Sequence, residues 1–518
     1  LDALTPRAPP PRRVGRARWR AAPPRLSDFA EWHWREHWYP LAFSAVSDRE
    51  RPHRLELMGE QLVLWYDGAR WRAMGDVCPH RRAPLSEGRV DEQGRIECPY
   101  HGWAFEGESG RCEAIPQAEG GGDPVMLARC GGMAYPTAEK QGIIWVWGEP
   151  IAPGKPHPPH SLIPTCDALD DERFVWIDVS RDMPYSADML LENVLDSSHV
   201  PFTHHNTISK RENAIPLKVR LTTAVAPNGF EGEQEAPPVF TGRATERTTV
   251  FRAPTYMHHR IRSSGGKAGT TPNQDDFEAG FETWTVAYAT PTGPGRSRLL
   301  ARFPFRFPEP KRPPGVLGRL LPAINPPKLV FKFLPDWINH LGQLKVLDDD
   351  NIFLPLQERR VAADGGWRNS YIMPTPADTY INAYRRWFDA VGPPPYAAHS
   401  VDALHGRPLD KAYLLDRYAQ HTAHCTSCAG ALANARHARR ATKVILLAAA
   451  AVMPSLLLQR ALRATAGVAL VSASAMAAHL AARSVESRLT SGLSEYPPPR
   501  NSGRAAKELR TVEQGRSS

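Results

Sequence analysis

Cys78-Pro-His80, then seventeen residues, then Cys98-Pro-Tyr-His101-Gly-Trp103: these two short stretches decide how the N-terminal part of the chain is read. Each pairs one thiol with one imidazole. Pro79, Pro99 and Gly102 suit tight loops whose backbone N–H groups can face sulfur. A Cys₂His₂ zinc site usually pairs Cys with Cys and His with His, whereas both pairs here are mixed.

Two thiolates on one iron and two imidazoles on the other make a Rieske-type [2Fe–2S] cluster, with a potential well above that of an all-cysteine cluster. Cys78, His80, Cys98 and His101 are its expected ligands. Around them lie short β-type runs broken by Gly, Asp and Pro: Leu62–Tyr66, Trp71–Met74, Arg95–Cys98 and Gly142–Trp147, with Asp67-Gly68 a strong turn signal. Residues 31–150 are therefore read as a small all-β domain.

A cluster that only moves electrons must feed something. Residues 192–205 read ENVLDSSHVPFTHH. Asn193, Asp196 and His199 recur at three-residue spacing, which predicts one side of a helix, and Pro201 would bend or end it so that His204 returns to the site of His199. Two neutral imidazoles and a carboxylate form the facial triad of non-haem Fe(II) oxygenases. His205 competes with His204, and Asp196 is better placed behind the metal than on it. The carboxylate is sought in LDDDNIFLPLQE, where a helical reading turns Asp350 inward beside Leu347 and Leu354 and leaves Asp348 and Asp349 facing solvent. Residues 151–435 thus form an α+β catalytic domain, with helical patterning at Tyr185–Ser198 and Lys328–Leu347 and strands at Phe281–Ala289 and Arg298–Phe305.

Hydrophobic residues are 42% and charged residues 23% of the 518, the composition of a folded protein. The formal charge of +9 is concentrated. Seven arginines face one acid in residues 1–25, and Arg436, His437, Arg439, Arg440 and Lys443 form a second cluster. This distribution points to targeting and a membrane flank, not nucleic acid. Segment 1–30 reads as a transit-like or disordered basic stretch. The apolar runs Val444–Leu458 and Ala464–Ala482, flanked by basic residues, predict a transmembrane hairpin within 436–485, with both ends on one side and a disordered tail over 486–518. The stretch Lys311–Leu334 is amphipathic and a candidate for lying on the membrane.

Seven cysteines argue for metal and redox usage, not a secreted disulfide framework. Cys112, Cys130 and Cys166 read as small apolar side chains. Cys425-Thr-Ser-Cys428 follows His421 and His424, and three readings compete: a redox-controlled dithiol, a zinc site completed by the two histidines, and a structural pair. The redox reading is preferred.

The order CPH…CPYHGW, then N-x-x-D-x-x-H-x-x-x-x-H, then a distant Asp resembles Rieske non-haem iron oxygenase α-subunits. The wording of HWYPLAF, LVLWYDG, LENVLDSSHVPFTHH, KVLDDDNIFLPLQE and DRYAQHTAHCTSCAGAL is similar to the chloroplast group that includes pheophorbide a oxygenase, over roughly residues 30–485. The resemblance implies a helix-grip-like catalytic domain, a mononuclear iron held by His199, His204 and Asp350, and electrons from reduced ferredoxin to activate O₂. It implies that Asn193 lines the iron pocket and that Asp196 bridges to a cluster histidine, often across a trimer boundary. It further implies a thioredoxin target at Cys425 and Cys428, and a plastid envelope or thylakoid location. The substrate implied is a flat, apolar tetrapyrrole carrying a carboxylate, pheophorbide a leading to red chlorophyll catabolite. Protochlorophyllide, a phyllobilin, or a sensing role in the inner-envelope import translocon are the alternatives. Ala226–Gln274 has no clear counterpart and is expected in the pocket walls.

Overall fold

The structure, a computed structural model, describes residues 29–152, 155–235, 244–266, 271–309, 325–396 and 409–492. The expected basic stretch (but for residues 29 and 30), the C-terminal tail beyond 492 and most of Lys311–Leu334 lie outside these residues.

Strands β1 (Trp38–Phe43), β2 (His53–Leu57), β3 (Glu60–Tyr66), β4 (Trp71–Gly75), β5 (Arg89–Val90), β6 (Ile96–Glu97), β7 (Ala104–Phe105), β8 (Cys112–Ala114), β9 (Ala134–Tyr135), β10 (Thr137–Lys140) and β11 (Ile143–Trp147) build the N-terminal unit. They pair as three sheets in the orders β1-β11-β10, β2-β3-β4-β9 and β5-β6-β7-β8. The expected strands are present, although Arg95–Cys98 contracts to β6 because Cys98 leaves the ladder to begin a loop. At the expected turn, the Asp67 carboxylate accepts from the N–H groups of Ala69 and Arg70, both at 2.8 Å, and Gly68 takes φ +99°.

Strand β3 shows why this unit cannot be peeled away cleanly. Side chains alternate across a strand, and here both faces are buried. Leu62 and Leu64 enter the main core shared with the catalytic domain, while Val63 and Trp65 pack with Cys78, Ile96, Cys98 and Phe105 under the two loops.

The catalytic domain rests on strands β12 (Val175–Met183), β13 (Lys218–Leu221), β14 (Gly229–Glu235), β15 (Thr245–Arg252), β16 (Tyr256–Ser263), β17 (Phe281–Gly293) and β18 (Arg296–Arg306). They form one antiparallel seven-stranded sheet in the order β12-β18-β17-β16-β15-β14-β13. Helices α1 (Ala187–Leu195), α2 (Asp336–Asn351) and α3 (Thr379–Val391) accompany it. Helix α3 buries Tyr380, Ile381, Ala383, Tyr384 and Trp387, the i, i+3, i+4, i+7 stripe of a helix laid on a core. Phe251 of β15 meets Tyr384 and Trp387 at centroid distances of 5.2 and 4.9 Å. Truncating such a buried Trp costs about 3–5 kcal/mol. Arg385 of α3 clamps α1 by pairing with Glu192 and, at 2.6 Å, with Asp188. Burial pushes the Glu192 carboxyl above its ordinary range, and Arg385 opposes that shift.

Helices α4 (Thr426–Leu458) and α5 (Leu462–Thr490) form the hairpin. Both are long and apolar enough to cross a membrane, and little of either apolar stretch is buried against the rest of the protein. They run beyond the apolar stretches, α4 starting directly after Cys425. At 1.5 Å per residue α4 is about 50 Å long, more than the roughly 30 Å hydrocarbon core, so its basic first part stands outside an apolar layer. There Arg436 and Arg439 both pair with Glu486 of α5. The base is stitched to the catalytic domain. Thr422 Oγ1 donates to the Leu489 carbonyl at 2.6 Å, Arg417 Nη1 to the Arg488 carbonyl at 2.8 Å, and the Gly492 N–H to the Leu415 carbonyl at 2.9 Å.

Candidate functional site

The two Cys/His loops are built alike. In the first, the Cys78 N–H donates to the Ala83 carbonyl and the Arg82 N–H to the Cys78 carbonyl; in the second, Cys98 N–H to Trp103 and Gly102 N–H to Cys98. The fourth residue after each cysteine takes a left-handed conformation, φ +60° at Arg82 and +73° at Gly102. A side chain on Gly102 would stand 3.1 Å from Pro116 Cγ, so glycine serves both conformation and space there. Cys78 and Cys98 are buried, and the N–H groups of His80 and Arg81 are directed at the Cys78 sulfur. His80 and His101 lie outward with ring centroids 4.6 Å apart, and Trp103 stacks on His80 at 4.5 Å. Two buried thiols beneath two outward imidazoles match the asymmetric donor set of a Rieske cluster.

Helix α1 ends at Leu195, so Asn193, Asp196 and His199 do not share one helix as the spacing suggests. The reason is local: the Asp196 carboxylate accepts from Ser198 N–H at 2.6 Å and Ser198 Oγ at 2.5 Å, an Asx turn that competes with helix. His199 and His204 then flank the single helical turn Val200–Thr203, which contains Pro201. The His199 Nδ1 faces the Asp196 carbonyl at 2.5 Å, and the His204 Nδ1 faces Asp349 Oδ2 at 3.1 Å. Both contacts turn the Nε2 atoms to a common point, the usual way a protein orients metal-binding histidines. The Nε2 atoms are 3.2 Å apart, and His204 Nε2 is 3.6 Å from Asp350 Oδ2. Metal–nitrogen bonds of about 2.1 Å at right angles would separate two donors by about 3.0 Å. His199, His204 and Asp350 together offer one donor atom each within 4.8 Å of one another. Asn193 Nδ2 donates to the second oxygen of Asp350 at 3.4 Å. His205 accepts from the Arg211 N–H and stays out of the group.

The expectation that Asp348 and Asp349 face solvent is overturned. Asp348 is 0% exposed and sits between Arg181 and Arg417, whose guanidinium groups neutralise it. Asp349 is buried against His204. Each carboxylate has a cationic or hydrogen-bonding partner, which is what makes burial affordable.

A cavity of about 490 Å³ opens beside the triad, the range of pockets for drug-sized ligands. Asn193, His199, His204 and Asp350 line one side, and Leu190, Val194, Ile261, Leu299, Phe303 and Leu347 supply apolar walls. Gln234, Arg247 and His259 come from the segment Ala226–Gln274, which does contribute pocket wall as expected. Arg247 has no carboxylate partner among the described residues, its Nε has no hydrogen bond, and burial holds its pKa below the ordinary value. Burial also lowers His259 to about 4, leaving a neutral imidazole that contacts the Val194 carbonyl at 2.8 Å. The role of Asp349 escapes sequence reading because its partner His204 lies 145 residues away, and Arg247 escapes it because the cavity it lines is assembled from segments distant in the chain.

The Cys-x-x-Cys lies apart from this site. Cys425 and Cys428 are buried free thiols, and the histidines beside them are His421 and His340. His424 turns to a cleft lined by Arg298 and Asp182, so it does not complete the group. Cys112 and Cys166 are buried as expected and Cys130 partly so.

Residues 37–129 match the family model of the Rieske [2Fe–2S] domain, and residues 251–367 that of pheophorbide a oxygenase. Pheophorbide a oxygenase of Arabidopsis thaliana is 33% identical over 427 residues, which cover 78% of this chain and 73% of the relative. The chain belongs to the pheophorbide a oxygenase family. Flavonoid 8-hydroxylase 2 of Ocimum basilicum is 31% identical, covering 78% of this chain and 75% of its own. Both relatives are chloroplast proteins. The crystal structure of dicamba monooxygenase bound to dicamba shares the fold, with a TM-score of 0.53, 19% identity, and coverage of 69% of this chain and 97% of that one. The protein is thus a Rieske oxygenase with an all-β cluster domain and an α+β catalytic domain, using a [2Fe–2S] cluster and a mononuclear non-haem iron, and the two donor sets described above fit those groups.

Proposed function

We propose that this oxygenase is a ferredoxin-fed monooxygenase of a plastid membrane that oxygenates the macrocycle of a chlorophyll-derived tetrapyrrole acid, of which pheophorbide a is the leading candidate. Cys78, His80, Cys98 and His101 hold the cluster, and His199, His204 and Asp350 hold the iron. When bound, the cluster relays single electrons and the iron supplies O₂ activation.

The observation that carries the substrate class is the cavity's composition: apolar walls, the His/His/Asp group on one side, and the guanidinium of Arg247, which has no carboxylate partner among the described residues. Apolar walls suit a flat macrocycle, and Arg247 suits its carboxylate through a charge-assisted hydrogen bond. Asn193 steadies Asp350 through its second oxygen, and Asp349 fixes the tautomer of His204. The Asp196 carbonyl orients His199, and the second oxygen of its partly exposed carboxylate is left for a cluster histidine of a neighbouring subunit, which would make a homotrimer the working form. The outward His80 and His101 suit that approach. A complete donor triad favours an enzyme over a sensor of the import machinery, since sensing alone does not need it. The hairpin would hold the catalytic domain at the bilayer into which a lipid-soluble substrate partitions.

The test is single turnover of purified, iron-reconstituted protein with reduced ferredoxin and ¹⁸O₂, offering pheophorbide a and, in parallel, a flavonoid, with His199→Ala as blank. A ring-opened product carrying ¹⁸O, absent from the blank, supports the reading. Turnover of the flavonoid alone overturns the substrate class. Protein that retains the cluster signal but binds no mononuclear iron overturns the enzyme.

A further inference from the structure

We infer that His340, His421, Cys425 and Cys428 form a structural zinc site that fastens the membrane hairpin to the helix carrying Asp350. The four side chains come from three elements: His340 from α2, His421 from the turn after Arg417–Gln420, and the two cysteines from the start of α4. All four are buried, at 4%, 2%, 2% and 0% exposure, and their donor atoms lie within 4.8 Å of one another.

The spacings are those of a tetrahedron. His421 Nε2 is 3.3 Å from His340 Nδ1, Cys428 Sγ is 3.3 Å from each of these nitrogens, and Cys425 Sγ is 3.6 Å from His340 Nδ1. Zinc bonds of about 2.3 Å to sulfur and 2.05 Å to nitrogen, at tetrahedral angles, place two nitrogens about 3.3 Å apart and a nitrogen and sulfur about 3.6 Å apart. Orientation agrees as well. The His421 Nδ1 faces the Ser180 carbonyl at 2.6 Å, so that nitrogen carries the proton and Nε2 is left as the donor. Two sulfurs and two nitrogens in this geometry select zinc over the octahedral oxygen-liganded metals. Both cysteines bind as thiolates, each releasing a proton.

The competing reading is a dithiol exchanged by a thioredoxin. Exchange needs a partner sulfur to reach Sγ, and at 2% and 0% exposure neither thiol is presented to one.

The experiment uses the full-length holoprotein, purified in detergent on a tag without histidines and dialysed against EDTA. We expect one zinc per chain alongside the iron, and zinc-edge X-ray absorption showing two sulfurs and two nitrogens. Cys428→Ser should lose that zinc while the Rieske EPR signal persists. Zinc well below one per chain in wild type, a zinc shell of nitrogen and oxygen only, or a Cys425–Cys428 disulfide in the air-handled protein would each overturn the assignment. Because the stoichiometry and the absorption edge are read on wild type, a variant that fails to fold leaves the test intact.

Discussion

Replacing Asp348 by Asn should be among the most damaging single changes in this chain. The carboxylate has no exposure and accepts from Arg181 Nη1 at 2.8 Å, Arg417 Nη2 at 2.6 Å and Arg417 Nε at 3.1 Å. Arg181 is itself fully buried, and burial pulls its pKa down against the opposing charge of Asp348. Asn keeps the shape but removes the charge, and it turns one acceptor into a donor facing a guanidinium. Three hydrogen bonds to charged groups at about 1.5–3 kcal/mol each set an upper bound. Measured losses of one partner from a buried ion pair, about 3–5 kcal/mol, set the working figure. With an unfolding entropy of about 2.1 cal/mol/K per residue, a unit of roughly 280 residues loses about 1.7 °C per kcal/mol, so the melting temperature should fall by about 5–9 °C. The assay is thermal unfolding of the detergent-solubilised holoprotein followed by tryptophan fluorescence, with Asp349→Asn as the neighbour control. Among the described residues the Asp349 carboxylate has a single polar side-chain partner, His204, so its loss should cost about 10–100-fold in iron affinity with a much smaller thermal shift. A fall below about 2 °C for Asp348→Asn, or equal falls for the two variants, would refute the assignment of separate duties to adjacent aspartates.

Arg247→Met should lower kcat/KM for an acidic substrate by roughly 10–150-fold, the equivalent of one charge-assisted hydrogen bond, and leave the methyl ester nearly unaffected; an equal loss for acid and ester would show that Arg247 does not bind the carboxylate. His258, held at about 3 instead of 6.5 chiefly by burial, stays neutral in the fold while the unfolded chain takes up a proton below pH 6.5. Its contribution to stability is therefore full above pH 6.5 and declines as the pH falls toward 3, so His258→Gln should flatten the fall in urea midpoint across that interval; an unchanged slope would count against it.

The cluster ligands were readable because each pair sits inside one loop, and loop chemistry is written in neighbouring residues. The same holds for His199 and His204, five positions apart around one turn. The helix that should have joined them to Asn193 was misread because spacing is silent about the Asx turn at Asp196. The aspartate run was misread for a different reason: three acids in a row look solvated until their partners are known. Arg181 lies 167 residues before Asp348, and Arg417 lies 69 after it. His340 stands 88 residues from Cys428, so no local pattern could have chosen it over His424.

Helix α2 carries His340 and all three aspartates, and successive residues on a helix point about 100° apart. Asp348, Asp349 and Asp350 accordingly face three sectors, one toward two arginines, one toward a histidine and one toward the triad. The helix works as an indexed dial whose three settings must be correct together. Inserting or deleting one residue between His340 and Asp348 would advance the dial by one position and mismatch all three partners at once, however conservative the residue. The length of this helix should be the most rigid feature of the chain over evolutionary time, with insertions accepted only in the connections that flank it.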